Sequence, residues 1–430
     1  MDREQLLSEL EAVVGGDNLR TGTEAASVYG LPTCWEAKPL ALVTPGSAAE
    51  IAEVVRAAER AGAALLPYGG GTQVQTGYPP RADKPYLLLS TARLHRVLDY
   101  QPDDLTVTCE PGLTLAALQE ALATRHQFLP LDVPLPERAT LGGIVSTNAT
   151  GFWRPAYGAP RDLGIGLRAI MTGGTEVKGG GKVVKNVAGY DVCKLFTGAW
   201  GTLGMLTEIT FKVRTLPEAE RALAWDAPDL TTAARVGLAL HHARLAATYL
   251  LATNELDGRP RLILGLQGTA ARVDWQAAEF ARLAAEAGLP AAPIRLAPEQ
   301  ITALRNRQAR NDPDTPIAAR ISCLPAAVAE FVRTLETLPG LSLTAHCATG
   351  TVALAATNPV PSPVNIVNLL KEALPQGANL TWIRLDGDFP GRESIALWGV
   401  PREDFRLQRA LKQSLDPKNT FSPGRFLAGL

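Results

Sequence analysis

Three glycine-rich segments of the sequence could bind a large anionic ligand through their backbone. They are residues 67–72, 141–151 and 198–206, and few of their side chains could act as nucleophiles. Glycine has no Cβ, so the N–H groups of such turns can approach phosphate or ring-carbonyl oxygens closely. The first segment follows the apolar residues 63–66, which are typical of a buried strand. Three turns of this kind predict one extended ligand.

Two further glycine patterns resemble nucleotide-binding motifs but lack their context. Residues 164–169 fit the G-x-G-x-x-A spacing, yet they begin a predicted strand that ends at the hairpin glycines Gly173-Gly174. A dinucleotide fingerprint needs a strand before it and a helix after it. Gly181-Lys182 lacks the preceding glycine and the following Ser/Thr of a P-loop. The sequence therefore predicts neither a Rossmann site nor an ATP site.

The histidines and cysteines form no recognisable metal or disulfide pattern. No H-x-x-x-H or H-E-x-x-H spacing occurs, and the cysteines are odd in number, widely separated and outside any C-x-x-C pair. We expect free, buried thiols and no metal site. The cysteines are Cys34, Cys109, Cys193, Cys323 and Cys347.

The composition is that of an ordinary globular protein. The 430 residues are 46% hydrophobic and 20% charged, which allows a sizeable core and two or three domains. The net charge is −1 and no Lys/Arg run stands out, which argues against nucleic-acid or anionic-membrane binding. The start Met1–Gln5 is charged, and no segment approaches the ~18 apolar residues of a membrane span. We expect a cytoplasmic protein that does not insert into a membrane.

The elements that would position the first glycine turn follow from capping and periodicity. Ser47 and Glu50 form a capping box, apolar residues then repeat at helical spacing, and Gly62 is the predicted stop. A further helix begins near Thr114, and strands are predicted at 63–66, 87–89 and 106–109. Together they predict a small α/β subdomain.

A second α+β subdomain and a cap-like domain are predicted further along. The second subdomain has strands at 167–171, 176–177, 182–184 and 205–213 and a helix at 190–196. After Pro217 the sequence becomes alanine-rich and glycine-poor, which indicates a separate domain. Its strands are predicted at 262–266, 318–322 and 352–354, and its helices at 274–287, 326–338 and 364–374.

The glycine segments resemble a known flavoprotein family. The order "PYGGGTQ", "LGGIVSTNATG" and "GGGKVVKNVAGYDVCKLFTGAWGTLG" resembles the FAD-binding domain of the PCMH type, in the vanillyl-alcohol-oxidase superfamily, from about Trp35 to Pro217. Within it the chain is most similar to the E-type, FAD-binding subunit of bacterial glycolate oxidase. The specific sign is residues 185–191 followed by 198–201, because the larger D-type subunit usually has glutamate at the position of Trp200. Residues 416–425 resemble a tail that these flavoproteins share.

The resemblance implies an α+β fold, with a PCMH-type, two-subdomain FAD-binding region and an α/β cap. The implied domains are an N-terminal helical segment (1–34), the FAD-binding domain (35–217), the cap or substrate domain (218–415) and a C-terminal tail that returns to the flavin domain (416–430).

The resemblance also implies which residues bind FAD. The pyrophosphate cradle would be Pro67, Tyr68, Gly69, Gly70, Gly71, Thr72 and Gln73. The isoalloxazine and pyrophosphate would be lined by Thr140, Gly142, Gly143, Ser146, Thr147 and Gly151, and the adenosine part by Gly201, Gly204 and Leu206. Relatives with covalent flavin commonly have a histidine where this chain has Thr72-Gln73, so we expect noncovalent FAD. Trp200 would pack beside the cofactor.

Candidate catalytic residues are fewer. Enzymes of the 2-hydroxy-acid branch often carry a segment resembling H-x-G-x-G-N-x-H, and this chain keeps only its first histidine, His346, and a glycine. His346 is either a base or a structural histidine at a strand end. Four further residues fall in family segments near the flavin and could receive an anion, or could equally be surface charges or ring-packing residues: Arg154, Tyr157, Lys185 and Arg425.

By resemblance the chain would be the FAD-binding subunit of a glycolate or D-lactate dehydrogenase complex that acts on a small 2-hydroxy acid. Its partners would be a larger FAD-binding subunit and an iron–sulfur subunit, which pass electrons toward quinone, so that only the complex touches a membrane. The alternatives are a non-catalytic flavin-binding assembly subunit and a sugar or lactone oxidase. The missing second histidine favours the assembly subunit over a free-standing enzyme, and the missing covalent-flavin histidine disfavours the oxidase.

Overall fold

The computed structural model describes residues 2–32, 35–81, 83–182, 190–310, 315–356, 363–386 and 394–430. The helices are α1 (Arg3–Val14), α2 (Gly22–Ala26), α3 (Ala48–Ala61), α4 (Leu115–Ala123), α5 (Leu141–Thr147), α6 (Arg154–Tyr157), α7 (Pro160–Leu163), α8 (Val192–Phe196), α9 (Leu230–His242), α10 (Ala270–Glu286), α11 (Pro298–Arg307), α12 (Val328–Leu335), α13 (Pro363–Ala373) and α14 (Phe405–Leu415). The strands are β1 (Leu19–Thr21), β2 (Ala41–Val43), β3 (Ala64–Tyr68), β4 (Tyr86–Ser90), β5 (Val97–Gln101), β6 (Thr106–Cys109), β7 (Gln127–Phe128), β8 (Gly164–Ile170), β9 (Glu176–Gly180), β10 (Met205–Lys212), β11 (Arg214–Thr215), β12 (Ala219–Asp226), β13 (Tyr249–Thr253), β14 (Arg261–Gly268), β15 (Ile294–Leu296), β16 (Ile317–Ser322), β17 (Leu341–His346), β18 (Thr351–Ala356) and β19 (Asn379–Leu385).

These elements form two compact units. Unit 1 contains Met1–Thr150, Ala159–Leu216 and Pro401–Leu430, and unit 2 contains Gly151–Gly158 and Pro217–Val400. The units differ from the sequence-based boundaries in two places. Residues 151–158 belong to unit 2, because Phe152 is buried in an apolar cluster of that unit. Residues 401–415, which include α14, belong to unit 1.

The first subdomain of unit 1 is a four-stranded sheet in the order β1-β2-β4-β3, in which β2, β4 and β3 are parallel. Helix α3 packs its apolar face on this sheet. The Ser47 hydroxyl accepts a hydrogen bond from the Glu50 N–H, as a capping residue should. The Glu50 carboxylate accepts from the Gly46 N–H at 2.8 Å, one residue before the position that a capping box would use. Gly62 ends the helix in the left-handed conformation.

The second subdomain of unit 1 is a five-stranded sheet in the order β5-β6-β10-β8-β9, and α4 and α5 contribute to its core. Helix α5 differs from the sequence-based prediction, which made residues 141–151 a glycine turn. Thr140 caps the helix, since its hydroxyl accepts from the Gly143 N–H, and Asn148 ends it with a φ of 49°. Good capping at both ends offsets the low helix propensity of two glycines.

Unit 2 contains an eight-stranded antiparallel sheet in the order β15-β12-β14-β13-β17-β18-β16-β19. One face packs against α9, α10, α12 and α13 in the largest apolar core of the described chain. The predicted helix at 326–338 is a 3-10 turn followed by the shorter α12. The other face carries a smaller apolar cluster around Phe152, Tyr249 and Ile263. Polar side chains that point away from the helix-covered core lie on this second face.

Residues 412–422 hold unit 1 together through a buried ion pair. The Lys412 ammonium donates to Asp416 Oδ2 at 2.6 Å and to the carbonyl oxygens of Thr202 and Phe421 at 2.7 and 2.8 Å. The Asp416 carboxylate in turn accepts from the N–H groups of Thr420 and Phe421, both at 2.8 Å. Every charged atom of the pair therefore has hydrogen-bond partners, which a buried ion pair requires.

Lys412→Met is expected to lower the free energy of unfolding by about 3–5 kcal/mol, because the Asp416 carboxylate stays buried without its counter-charge. Urea denaturation followed by circular dichroism measures the loss. Lys194→Met is the matched control: Lys194 pairs with Asp191 at 2.8 Å, but the two side chains are 52% and 51% exposed. That pair is worth about 0–1 kcal/mol. Equal losses in both variants would contradict the structural role of Lys412.

Candidate functional site

The three glycine segments, far apart in sequence, come together in unit 1. The Gly198 N–H donates to Val145 O at 3.0 Å, and the Trp200 N–H donates to Ser146 O at 2.8 Å, so the third segment lies against α5. A Cβ on Gly69 would lie 2.2 Å from the Thr140 hydroxyl, so the first segment also reaches the start of α5. The arrangement fits one ligand that contacts all three segments.

The first segment has the features of an anion cradle. No described residue accepts a hydrogen bond from the N–H groups of Gly69, Gly70 or Gly71. A Cβ on Gly70 would lie 1.7 Å from the carbonyl oxygen of Arg138, so only glycine fits there. Gly71 has a φ of 73°, in the left-handed region that favours glycine. Three adjacent N–H donors in a turn that excludes side chains suit the diphosphate of FAD.

Tyr68 supports this turn as a neutral phenol. Burial raises the pKa of Tyr68 to about 12, although the nearby Arg138 charge opposes the shift. The hydroxyl donates to Tyr29 O at 2.8 Å, and the Arg138 guanidinium stacks 3.5 Å from the centre of the Tyr29 ring. Tyr68 therefore ties the segment that contains Tyr29 to the glycine turn.

Other residues predicted to bind FAD serve the protein's own packing. A Cβ on Gly142 would lie 2.7 Å from Pro111 Cβ, so this glycine allows α5 to approach residue 111. Thr147 donates to Gly143 O at 2.8 Å within α5. Leu206 is buried in β10, opposite Ala169 of β8.

Four further predicted positions differ in their surroundings. Gly151 belongs to unit 2. Lys185 lies outside the described residues. Arg425 is buried in unit 1, where it donates to the carbonyl oxygens of Val74 and Thr76. Burial lowers the pKa of Arg425 to about 10. Trp200 is half-buried and has a φ of 54°, an unusual conformation for a bulky residue.

Unit 2 carries a cationic group on the sheet face opposite α9, α10, α12 and α13. Ala319, Ile321 and Ala345 face the helix-covered core, so Arg320 on β16 and His346 on β17 face the other way. The His346 ring lies 5.5 Å from the ring of Phe152, which occupies the same face. Sequence analysis missed Arg320. The sequence did contain a sign of it: Arg320 is the one charged residue in the strand Ile317–Ser322, between two apolar residues that face the core.

Positive charge dominates this part of unit 2. Burial, followed by the charges of Arg154 and Arg320, lowers the pKa of His346 to about 4. Burial and the charge of Arg154 also lower the pKa of Arg320. No described carboxylate forms an ion pair with Arg154 or Arg320. Two arginines that influence each other's surroundings, neither of them paired with a described carboxylate, have the chemistry to bind an anion.

The missing second histidine of the paired-histidine pattern has a structural counterpart. Counting from His346 places that position at Ala353, and Ala353 on β18 is the direct cross-strand partner of Arg320. A small side chain there leaves room on the sheet face beside the guanidinium. Next to Ala353 the sheet face therefore presents the guanidinium of Arg320, which is always charged, in place of a second imidazole.

The Tyr157 hydroxyl donates to Gln267 Oε1 at 2.8 Å. Among the described residues there is no cluster of three or more His, Cys, Asp or Glu side chains that could hold a metal ion. The described helices also include none with the length and apolar character needed to span a bilayer.

Gly70→Ala is expected to remove most of the bound FAD, because its Cβ cannot coexist with Arg138 O at 1.7 Å and the turn must move. The ratio of flavin to protein absorbance after gel filtration measures occupancy. Gly181→Ala is the control, since its Cβ would have no heavy atom within 4 Å. A fully loaded Gly70→Ala protein would show that this turn is not part of the flavin site.

Acid precipitation is expected to release all flavin into the supernatant, because Thr72 and Gln73 offer no nucleophile that forms a stable bond to the ring. The two histidines of unit 1, His95 and His126, are both exposed. Absorbance of the pellet and the supernatant measures the release. A pellet that stays yellow after washing would show covalent attachment.

Comparison with known proteins identifies the flavin-binding part. Residues 39–180 match the FAD_binding_4 family, the FAD binding domain. The chain is 28% identical to glycolate oxidase subunit GlcD of Bacillus subtilis, over 61% of this chain and 54% of that one. It is 41% identical to glycolate oxidase subunit GlcE of Escherichia coli, over 30% of this chain and 38% of that one. The aligned part thus spans about half of GlcD and less than half of GlcE.

Two further likenesses extend over nearly the whole chain. D-2-hydroxyglutarate dehydrogenase of Xanthomonas citri pv. viticola is 27% identical, over 95% of this chain and 94% of that one. The solved structure of p-cresol methylhydroxylase superposes with a TM-score of 0.76 at 16% identity and covers 98% of this chain and 96% of that one. The expected fold class and the FAD cofactor are confirmed. Residues 39–180 are an FAD binding domain, and the chain that contains them is a flavoprotein with the α+β, PCMH-type fold.

Proposed function

We propose that this FAD-dependent oxidoreductase oxidises the CH–OH group of a small 2-hydroxy acid, glycolate or D-lactate, as the FAD-binding subunit of a dehydrogenase complex. The observation that carries the proposal is the cationic group of Arg154, Arg320 and His346 on unit 2. The names of the relatives support it, since glycolate and 2-hydroxyglutarate are both 2-hydroxy acids.

The two arginines bind the substrate carboxylate. A guanidinium presents two parallel N–H donors that match the two oxygens of a carboxylate, and charge assistance makes these hydrogen bonds strong. Arg320 lies on β16, which is paired on both sides, with β18 and with β19, so its backbone position is well defined. A sugar or a lactone has no carboxylate to offer these side chains. The arginine pair therefore favours a hydroxy acid over the alternative of a sugar or lactone oxidase.

His346 is suited to accept the proton of the substrate hydroxyl. With a pKa of about 4 the imidazole is neutral at pH 7, so one ring nitrogen has a free lone pair. A carboxylate bound by Arg154 and Arg320 offsets their positive charge, and this raises the His346 pKa toward that of an ordinary histidine. Substrate binding thus makes the base stronger when it is needed. Bound FAD supplies the acceptor for the hydride that leaves the substrate carbon.

The role as one component of a complex rests on two observations. The chain aligns with parts of both the GlcD and GlcE subunits of glycolate oxidase. It also has Ala353 where the paired-histidine pattern has its second histidine, which removes one polar group from the site. The partners we propose are a larger FAD-binding subunit and an iron–sulfur subunit. The alternative, a subunit that binds flavin for assembly or electron relay without oxidising substrate itself, draws its support from the same Ala353.

Arg320→Gln is expected to weaken substrate binding about 10- to 100-fold, because a charge-assisted hydrogen bond to the carboxylate is lost. Flavin bleaching after anaerobic mixing with D-lactate or glycolate gives the rate and its dependence on substrate concentration. Arg320→Lys should recover part of the affinity, because it keeps the charge without the paired donors. Arg333→Gln is the control, since Arg333 lies on α12 and pairs only with the exposed Glu330.

Each outcome has a defined meaning. Unchanged substrate dependence in Arg320→Gln would contradict the proposed carboxylate site. The measurement is made on the isolated chain and on the chain co-expressed with the proposed partners, a larger FAD-binding subunit and an iron–sulfur subunit. Fast bleaching of the isolated chain would contradict dependence on a partner. No bleaching of this chain's flavin in the complex would favour the assembly subunit.

A further inference from the structure

We propose that a second pocket of unit 2 binds a small organic polyanion, separately from the Arg154–Arg320–His346 group. The pocket has a volume of about 840 Å³ and is lined by the end of α9, residues 244–250, the end of β14, the first turn of α10 and part of α6. None of the three residues of the cationic group lines it. Its size is that of pockets that hold small organic ligands.

The charge of the lining is entirely positive. Arg244 and Arg272 line the pocket together with His241 and His242, and no aspartate or glutamate lines it. Within the described part of the chain, neither arginine forms an ion pair or a hydrogen bond through its side chain. Two cations that face the same cavity without an acid repel each other, and an anion between them removes the repulsion.

Arg272 occupies a position that a helix normally reserves for acids. It is the third residue of α10, a helix of 17 residues, and the N-terminal end of a helix carries a partial positive charge. The capping position is Thr269, whose side chain makes no capping hydrogen bond. Asp274, the nearest acid on α10, is engaged by Arg221 and does not line the pocket. A cation at an N-terminus without a capping side chain is unfavourable unless an anion binds there.

Gln267 gives the pocket a neutral donor at its base. The residue is only 9% exposed, and its Oε1 accepts from the Tyr157 hydroxyl at 2.8 Å. That hydrogen bond fixes the orientation of the Gln267 side-chain amide, and its Nε2 group remains as a donor. No described residue accepts from Nε2, and Gln267 lines the pocket. The Nε2 group is not among the buried polar atoms that lack a partner, so it is accessible from the pocket and can donate to a ligand there.

The ligand class follows from these groups. A single small ion would leave most of an 840 Å³ pocket empty. A molecule with two or three negative groups on a short carbon or phosphate skeleton fills more of it and offers charge-assisted hydrogen bonds to both arginines. Carboxylates and phosphates meet this requirement equally, so citrate and inorganic pyrophosphate are the two probes.

Isothermal titration of the FAD-loaded full chain at low ionic strength tests the site, because contacts made by exposed charges are screened by salt. At least one probe is expected to bind with 1:1 stoichiometry. The double variant Arg244→Gln/Arg272→Gln is expected to weaken that binding by about tenfold or more, because two charge-assisted contacts are lost. Both side chains are exposed, so the variant should fold, and its melting temperature and flavin content verify this.

Two control variants locate the bound ion. Arg235→Gln removes an exposed charge from α9 outside the pocket, and Arg320→Gln removes the anion site of the sheet face. Both should bind the probe as the unmodified chain does. Absence of binding by both probes, or unchanged binding in the double variant, would overturn the proposal. Loss of binding in Arg320→Gln alone would also overturn it, because the ion would then occupy the sheet face.

Discussion

The architecture of unit 1 depends on the buried pair of Lys412 and Asp416. The ammonium reaches the carbonyl oxygen of Thr202, within the third glycine segment, and the carboxylate fixes Thr420 and Phe421. Thr420 and its neighbour Ser422 then bond to β3, the strand that ends at the first glycine segment. When a buried charge loses its partners, the free energy of unfolding falls by several kcal/mol. One pair therefore positions two of the three backbone segments that are predicted to contact the flavin.

The sequence carried enough information to predict a backbone-lined ligand site in unit 1, because the requirements of such a site are local. A turn that admits only glycine leaves glycine in the sequence, and Gly69, Gly70 and Gly71 are where the backbone comes closest to other segments. The segment at 141–151 was harder to interpret. Glycines usually disfavour helices, but the caps at Thr140 and Asn148 compensate, so the predicted turn is the helix α5.

The cationic group of unit 2 could not be assembled from the sequence. Arg154, Arg320 and His346 are distant in the chain, and only the register of β16, β17 and β18 places Arg320 and His346 on one face. In that arrangement, burial and the neighbouring positive charges lower the pKa of His346 and keep its imidazole neutral. In the function we propose, the same charges bind the substrate anion and keep the proton acceptor neutral, and Ala353 at the position of the second histidine leaves that relation intact.

The pairing of β3 with the distant segment at 420–422 has a consequence for biosynthesis. β3 is the edge strand of its sheet; the Leu65 N–H donates to Thr420 O, and the Ser422 N–H donates to Leu65 O, both at 2.8 Å. Most of the chain is translated between these two partners. Until residues 420–422 have been made and paired, the edge of β3 stays open, and an open edge can pair with a strand of another nascent chain. Closure of this edge is therefore a long-range step in the folding of unit 1.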